Sequence, residues 1–240
     1  NMPINSLIIP CYNEEKNLIN QFDQLITLTS KINGELILVN NGSIDSTRKI
    51  LNKLSKKNPQ IRIENIKKNI GYGHGIVCGL KIAKGKYIGW THADGQTDHE
   101  EATKGFKLLE QNPYPKNLFV MGKRGKRKLS EKIFELGMSI FESVLFKTIL
   151  YDITAQPKIM SKAFFNTWKK PPNDFSLDLY AYVLAKKKKL SIKKFNILYK
   201  ERILGISSWN FGLISKIKLS IKTIFYSFKL YMSIKNEAKK

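Results

Sequence analysis

Ser6-Leu7-Ile8-Ile9-Pro10-Cys11-Tyr12-Asn13-Glu14-Glu15 is the stretch that decides how this chain is read. Ser6–Ile9 is a short apolar run of the length and composition of a buried strand. Pro10 opens a loop, and Glu14-Glu15 starts a helix running towards Thr29, because carboxylates favour the positive end of a helix dipole. The same unit recurs downstream. Glu35–Val39 leads through Asn40-Asn41-Gly42-Ser43 to a helix over Asp45–Lys57, where Ser43 or Asp45 can serve as the N-cap. Ile61–Ile66 leads through a glycine-rich turn to a helix over Gly73–Ala83. Tyr87–Trp90 ends in Thr91-His92-Ala93-Asp94-Gly95-Gln96, with a helix near Asp98–Gln111 and a strand at Leu118–Gly122 after it. Strands alternating with helices imply right-handed βαβ units and a mostly parallel sheet. Ligands bind such sheets beyond the carboxyl ends of their strands. The loops at 10–14, 40–43 and 92–96 all follow strands and gather at one edge, which makes that edge the candidate nucleotide site.

The second half has a different rhythm. Leu129–Leu150 is a long helical pattern with Ile133, Leu136, Ile140, Phe141 and Val144 on a broad apolar face. Asp152–Met160 reads as irregular. A helix follows from about Phe175 to Lys186, with Lys187-Lys188-Lys189 at the end where cations are favoured. Leu190–Tyr199 reads as strand. Phe211–Ile234 is a basic amphipathic helix with Leu213, Ile217, Ile221, Ile224 and Phe228 on one side and Lys218, Lys222 and Lys229 on another. Tyr226 and Tyr231 are suited to headgroup depth, and the lysines interrupt the segment too often for it to span a bilayer. A soft boundary near 205–208 gives two parts, residues 2–208 and 209–240.

At 240 residues the chain can bury one sizeable α/β core. Asn1, ahead of Met2, reads as a tag remnant. Cys11 and Cys78 form neither a metal cluster nor a disulfide framework, which suits a reducing, cytoplasmic setting. With 42 Lys and Arg against 19 Asp and Glu, the net charge is +23. Such a field attracts phosphorylated substrates, anionic lipid or nucleic acid. The cations are dispersed, however, and no zinc, RNP or helix-turn-helix pattern appears, so no nucleic-acid partner is expected.

Ile8-Ile9-Pro10-Cys11-Tyr12-Asn13-Glu14, Val39-Asn40-Asn41-Gly42-Ser43-Ile44-Asp45-Ser46-Thr47 and His92-Ala93-Asp94-Gly95-Gln96 resemble, in order and spacing, the signatures of family 2 glycosyltransferases. The branch they are most similar to is the polyprenyl-phosphate (dolichol-phosphate) sugar synthases, over roughly Ile4 to Ser208. The resemblance implies a GT-A fold: a Rossmann-like α/β sheet flanked by helices, here with a C-terminal amphipathic extension. It implies transfer of a sugar from a UDP- or GDP-sugar to a polyprenyl-phosphate or saccharide acceptor, with inversion and a divalent metal, Mn²⁺ or Mg²⁺. Donor contacts fall on Pro10, Tyr12 over the base and Glu14 to the ribose. Asn40, where the family has Asp, faces the base and can donate as well as accept. Gly71, Gly73, Ala93 and Asp94 complete the donor side. The metal position is Asp94 with Gln96 and His92; alternate residues of an extended segment share a face. His92 replaces an Asp, so it either binds the ion, with imidazole suiting Mn²⁺ better than Mg²⁺, or hydrogen-bonds a phosphate or sugar hydroxyl. Arg124 is implied to bind phosphate, with Arg127 able to assist. Gln156 and Lys158 inherit acceptor-side positions, and Arg202 and Ser207 belong to an element closing over the diphosphate. Asp178, or Asp174 before it, is the general base if the acceptor is a hydroxyl; an ionised phosphate needs none. The rival enzyme, a nucleotidyltransferase, needs a Gly-rich, Lys-ending first loop that Pro10–Glu14 lacks. The last expectation is peripheral attachment to the cytoplasmic face of an anionic membrane.

Overall fold

The computed structural model describes residues 3–95, 98–125, 129–198 and 212–237. Among the described residues seven strands form one sheet: β1 (Asn5–Cys11), β2 (Gly34–Asn41), β3 (Ile61–Ile66), β4 (Tyr87–Trp90), β5 (Leu118–Arg124), β6 (Lys158–Ser161) and β7 (Ser191–Ile197). Their spatial order is β3-β2-β1-β4-β6-β5-β7. Every pairing is parallel except those of β6, which runs antiparallel to both β4 and β5. The expected mostly parallel sheet is therefore present. The irregular reading of Asp152–Met160 is corrected: its last residues belong to β6, inserted between β4 and β5 inside the sheet.

The helices are α1 (Glu15–Asn20), α2 (Phe22–Lys31), α3 (Thr47–Lys57), α4 (Tyr72–Ile82), α5 (Glu101–Glu110), α6 (Leu129–Phe146), α7 (Lys162–Phe165), α8 (Leu177–Lys187) and α9 (Gly212–Glu237). The single helix expected from Glu14 to Thr29 is two, broken at Gln21, whose side-chain amide donates to the carbonyl of Ala93 at 3.5 Å. The break turns a polar group towards the loop after β4.

Alternation along each strand feeds a core on each face of the sheet. Leu7 and Ile9 of β1 join Leu36, Leu38, Leu25, Leu51 and Phe106 under α1, α2, α3 and α5. Ile8 joins Ile37, Val39, Ile76, Leu80, Trp90 and Tyr180 under α4 and α8. Each such aliphatic side chain contributes about 1.5–3 kcal/mol of transfer free energy, which fixes strand register. Leu230 and Ile234 of α9 are buried in this second core. Of the stripe expected on α9, Ile221 and Phe228 are exposed and Ile224 is half-buried, with Phe225 and Met232 exposed beside them, while Ser227, Leu230 and Ile234 face inward; the side chains of Leu213, Ile217 and Lys218 lie outside the described residues. The apolar face read on α6 is likewise outward, with Ile133, Leu136, Ile140 and Val144 all more than half exposed.

Candidate functional site

Because β6 is antiparallel, its first residue lies at the same sheet edge as the last residues of β1, β2, β4 and β5. Lys158 pairs with both Trp90 and Met121 in register. The edge thus collects Cys11–Glu14, Asn40–Ser43, Thr91–Gly95, Arg124 and Gln156–Lys158.

The first two loops are laced together. Ser43 Oγ donates to the carbonyl of Cys11 (3.4 Å) and accepts from the Asn13 amide (3.1 Å), while Asn13 Oδ1 accepts from Ile44 N (3.0 Å). Asp45 Oδ1 accepts from Thr47 N at 3.0 Å in the turn ahead of α3, whose N-cap position is Ser46 rather than the expected Ser43 or Asp45. Thr47 Oγ1 in turn accepts from Glu14 N at 2.9 Å. Glu14 stands half-buried at the head of α1, its Oε2 bonded by Asn17 at 2.6 Å. Pro10 is half-buried and Tyr12 is 46% exposed, so the Tyr12 ring is free to cover a ligand. Burial, with Glu14 and Asp45 adding to it, pushes the Cys11 thiol far above its ordinary pKa and leaves it unreactive.

The glycines after β3 are used differently from expectation. A Cβ on Gly71 would stand 2.2 Å from the carbonyl oxygen of Asn173, and one on Gly73 would stand 2.3 Å from that of Pro172. The close approach they permit is to the protein's own segment 172–174. That segment also accepts from His74 N at 3.0 Å, so part of the α4 N-terminus is already satisfied. Gly71 has φ 153°. The result is that the segment leading into α8 is clamped over the turn into α4, setting Asp174, Phe175 and Asp178 beside Tyr72.

Asp178 is the centre of the arrangement. It is 3% exposed. Its Oδ1 accepts from Trp90 Nε1 at 3.1 Å and lies 3.1 Å from Lys158 Nζ; its Oδ2 accepts from the Tyr72 hydroxyl at 3.1 Å. Gln156 Nε2 lies 3.4 Å from both oxygens and also donates to the Tyr72 hydroxyl. Lys158 has 0% exposure and directs its other hydrogens to the carbonyls of Ile153 (2.7 Å) and Ala155 (2.8 Å). Burial lowers the Lys158 pKa, and the Asp178 carboxylate opposes that shift. Burial raises the Tyr72 hydroxyl well above its usual value, with Asp178 adding to the rise. Asp178 thus has its lone pairs engaged by four side chains. One expectation is corrected here. Lys158 and Gln156 are turned inward to that carboxylate rather than outward to an acceptor. Asp174 Oδ1 accepts from Ser176 N (2.9 Å) and Oγ (2.5 Å), which ties it to the head of α8.

Above this anchor lies a tier of rings. Tyr72 stacks on the half-exposed Phe175 with centroids 5.0 Å apart, and the His92 ring is 5.7 Å from Tyr72. Burial holds the His92 pKa below its ordinary value against the pull of Asp94 and Asp178, leaving its imidazole neutral near pH 7. The carbonyl of His92 accepts from His99 Nε2 at 2.8 Å, and His99 is 1% exposed. Asp94 is half-buried and precedes Gly95, which is at φ 72°. Arg124 Nη2 donates to the Thr154 carbonyl at 2.9 Å, and its charge is felt at both His92 and Lys158. Gln96, Arg127, Arg202 and Ser207 lie outside the described residues. Among the described residues no three His, Cys, Asp or Glu side chains converge on one metal position. One carboxylate and one neutral imidazole fit a divalent ion only as a shared site, with further oxygens from a bound diphosphate.

Sequence reasoning missed Tyr72, Trp90 and His99. Tyr72 lay inside a glycine-rich turn and Trp90 inside an apolar strand, where nothing local marks a hydrogen-bonding role. His99 alone carried a signal, as an uncommon residue just ahead of α5.

The family described as "Glycosyl transferase family 2" matches residues 6–170. A dolichyl-phosphate beta-glucosyltransferase of Trichomonas vaginalis is 31% identical over 137 residues, 53% of this chain and 40% of the relative. The Homo sapiens dolichyl-phosphate beta-glucosyltransferase is 31% identical over 157 residues, 60% of this chain and 46% of the relative. The matched stretches thus span about half the length of these curated relatives or less. Among solved structures, glucosyl-3-phosphoglycerate synthase from Mycobacterium tuberculosis with UDP superposes at TM-score 0.68 and 13% identity. That match covers 95% of this chain and 80% of the other. The same enzyme with Mn²⁺, UDP and phosphoglyceric acid gives TM-score 0.66 and 15% identity, covering 83% and 72% of the two chains. At such identities the likeness is one of fold, and the fold is GT-A.

Proposed function

The chain belongs to glycosyl transferase family 2, and from that membership we propose that it moves a sugar from a nucleoside-diphosphate donor, UDP- or GDP-linked, onto a polyprenyl phosphate. The observation that carries the acceptor class is the saturation of Asp178 by Trp90, Tyr72, Gln156 and Lys158. A hydroxyl acceptor requires a base, whereas a phosphate monoester arrives ionised. The dolichyl-phosphate relatives support the same class by their names. A phosphate oxygen attacks the anomeric carbon, the bond from that carbon to the donor's diphosphate oxygen breaks, and configuration inverts. The nucleoside diphosphate leaves with the electron pair.

The protein's part is positioning and charge. Tyr12, Glu14 and the Asn40 loop hold the nucleoside; Arg124 meets phosphate, joined by Arg202 and Ser207. Asp178 is a positioning residue: it fixes Trp90, Tyr72 and thereby the ring tier beneath the sugar. Asp94 and His92, with Gln96, would hold a divalent ion, which when bound supplies neutralisation of the leaving diphosphate. Mn²⁺ is favoured over Mg²⁺ by the imidazole.

Residues 2–208 form the catalytic part of this proposal and 209–240 the part that faces a membrane. No described helix is long and apolar enough to cross a membrane. Exposed Ile221, Phe225, Phe228 and Met232 of α9, with exposed Lys222, Lys229 and Lys235, instead suit peripheral attachment to anionic lipid at the cytoplasmic face.

The test is a thermal-shift screen of UDP- and GDP-sugars with and without Mn²⁺, on the wild type and on Asp94→Ala. Stabilisation by one donor class, strengthened by Mn²⁺ and lost in Asp94→Ala, is expected. No stabilisation by any donor removes the reading. Co-sedimentation with anionic vesicles at low salt, with and without residues 211–240, tests the membrane part; a full-length chain that ignores the vesicles defeats it.

A further inference from the structure

The carboxyl ends of β2 and β3 carry an amide row, Asn40 and Asn65, whose polarity is fixed by the backbone. Ser43 N donates to Asn40 at 3.1 Å, so the Asn40 atom facing it is the side-chain oxygen. The amino group of Asn40 then faces Asn65, where only the Asn65 oxygen can accept it, at 3.1 Å. Asn40 is 4% exposed and cannot turn its amide without losing both bonds. Asn65 is exposed, at the end of β3 and opposite Asn40 in register. The outer end of the row is therefore the Asn65 amino group, a donor.

This end lies where a base would reach. β4, which leads to Asp94, and β2, which leads to Asn40, are separated only by β1, two interstrand steps or about 10 Å. With a diphosphate over Asp94, as the proposed function has it, the nucleoside would extend along the carboxyl edge towards β2 and β3.

We propose that Asn65 is the residue that selects the nucleobase, donating from Nδ2 to an oxo oxygen on the base edge, and that Asn40 sets the direction of that donor. The inference rests on the nucleotide-sugar reading above. It selects uracil over cytosine and guanine over adenine, since each pair differs at one edge position by oxo against amino. A carboxylate at position 40 would accept from both Ser43 N and the Asn65 amino group. Asn65 would then flip and present its oxygen outward, so one substitution that never touches the base would invert the choice.

Isothermal titration of the full chain with UDP, CDP, GDP and ADP tests this, all four with Mn²⁺. The wild type is expected to bind UDP over CDP, and GDP over ADP, each by on the order of 10-fold, one hydrogen bond exchanged for an unpaired donor. Asn65→Ala should remove both preferences while leaving diphosphate binding measurable. Asn40→Asp should reverse their direction. Asn65→Asp, at an exposed position that does not endanger folding, should reverse them too. Diphosphates that bind with no oxo preference, or a preference unmoved by Asn65→Ala and Asn65→Asp, overturn the inference and leave the nucleotide-sugar reading standing. No binding of any diphosphate to the wild type overturns both.

Discussion

Replacing Lys158 or Asp178 tests whether the buried pair holds the site together. In Asp178→Asn the Lys158 ammonium, 0% exposed, loses the only counter-charge within ion-pairing distance among the described residues and keeps two carbonyls. In Lys158→Met the carboxylate keeps Trp90, Tyr72 and Gln156, but the carbonyls of Ile153 and Ala155 lose their donor. Breaking a buried pair from either side costs about 3–5 kcal/mol. For a chain of this size that is a fall in Tm of roughly 6–20 °C. The double variant removes both charges, and methionine fills the space of the lysine stem. Its cost should fall short of the sum of the singles by about 2–3 kcal/mol. Guanidinium unfolding of the four proteins, read by Trp90 and Trp168 fluorescence, supplies the cycle. The two indoles meet edge to face at 6.3 Å, next to Asp178. Singles that cost under about 1 kcal/mol, or a double that is merely additive, would refute the reasoning and return Asp178 to the role of an available base.

Gly73→Ala places a methyl 2.3 Å from the Pro172 carbonyl. It should displace segment 172–174 and weaken donor binding, measured as a raised KM; an unchanged KM would mean the clamp is not needed. Burial raises Glu142 to about 7 from an ordinary 4.5, while the Ser227 hydroxyl it accepts across α6 and α9 works against that rise. Between those values the unfolded chain gives up a proton that the folded chain keeps, so this contribution is complete below about pH 4.5 and lost as pH rises through 7. Urea unfolding at pH 5 and pH 8 should show the wild type losing on the order of 1–3 kcal/mol relative to Glu142→Gln; parallel pH profiles would contradict it. His92→Asp should move metal preference from Mn²⁺ towards Mg²⁺, followed by donor affinity in each metal; an identical preference makes His92 a neighbour of the ion rather than a ligand.

The parallel part of the fold was legible because strands buried on both faces leave apolar runs, as in Leu7–Ile9 and Leu36–Val39, between helical periods. β6 was not. It begins at Lys158, follows Pro157 and is only four residues long, so its polar start looked like loop. Lys158 belongs in the sheet centre only because Asp178, twenty residues on, meets it there, and no local pattern carries that fact. The loops after β1, β2 and β4 were found because each follows an apolar run and because their motifs resemble the family signatures in order and spacing. Their inward bonds were not, since a place after a strand brings residues to an edge without saying which way each side chain turns. The glycines at 71 and 73 were read as room for a ligand, whereas the room is taken by the chain's own carbonyls. On α9 the sequence showed the apolar side that carries the exposed Ile221 and Phe228, but not the second face by which Leu230 and Ile234 enter the sheet core.

The central claim is sugar transfer to an ionised phosphate without a carboxylate base. Its most direct measurement offers the full-length chain a UDP- or GDP-sugar with Mn²⁺ and, in competition, a polyprenyl phosphate and a saccharide hydroxyl, and identifies the product by mass and anomeric configuration. A polyprenyl phosphate glycoside of inverted configuration is expected, formed with a rate that does not fall on acidification from pH 8 to pH 7. Transfer to the saccharide with the lipid phosphate untouched, or a product of retained configuration, would contradict it.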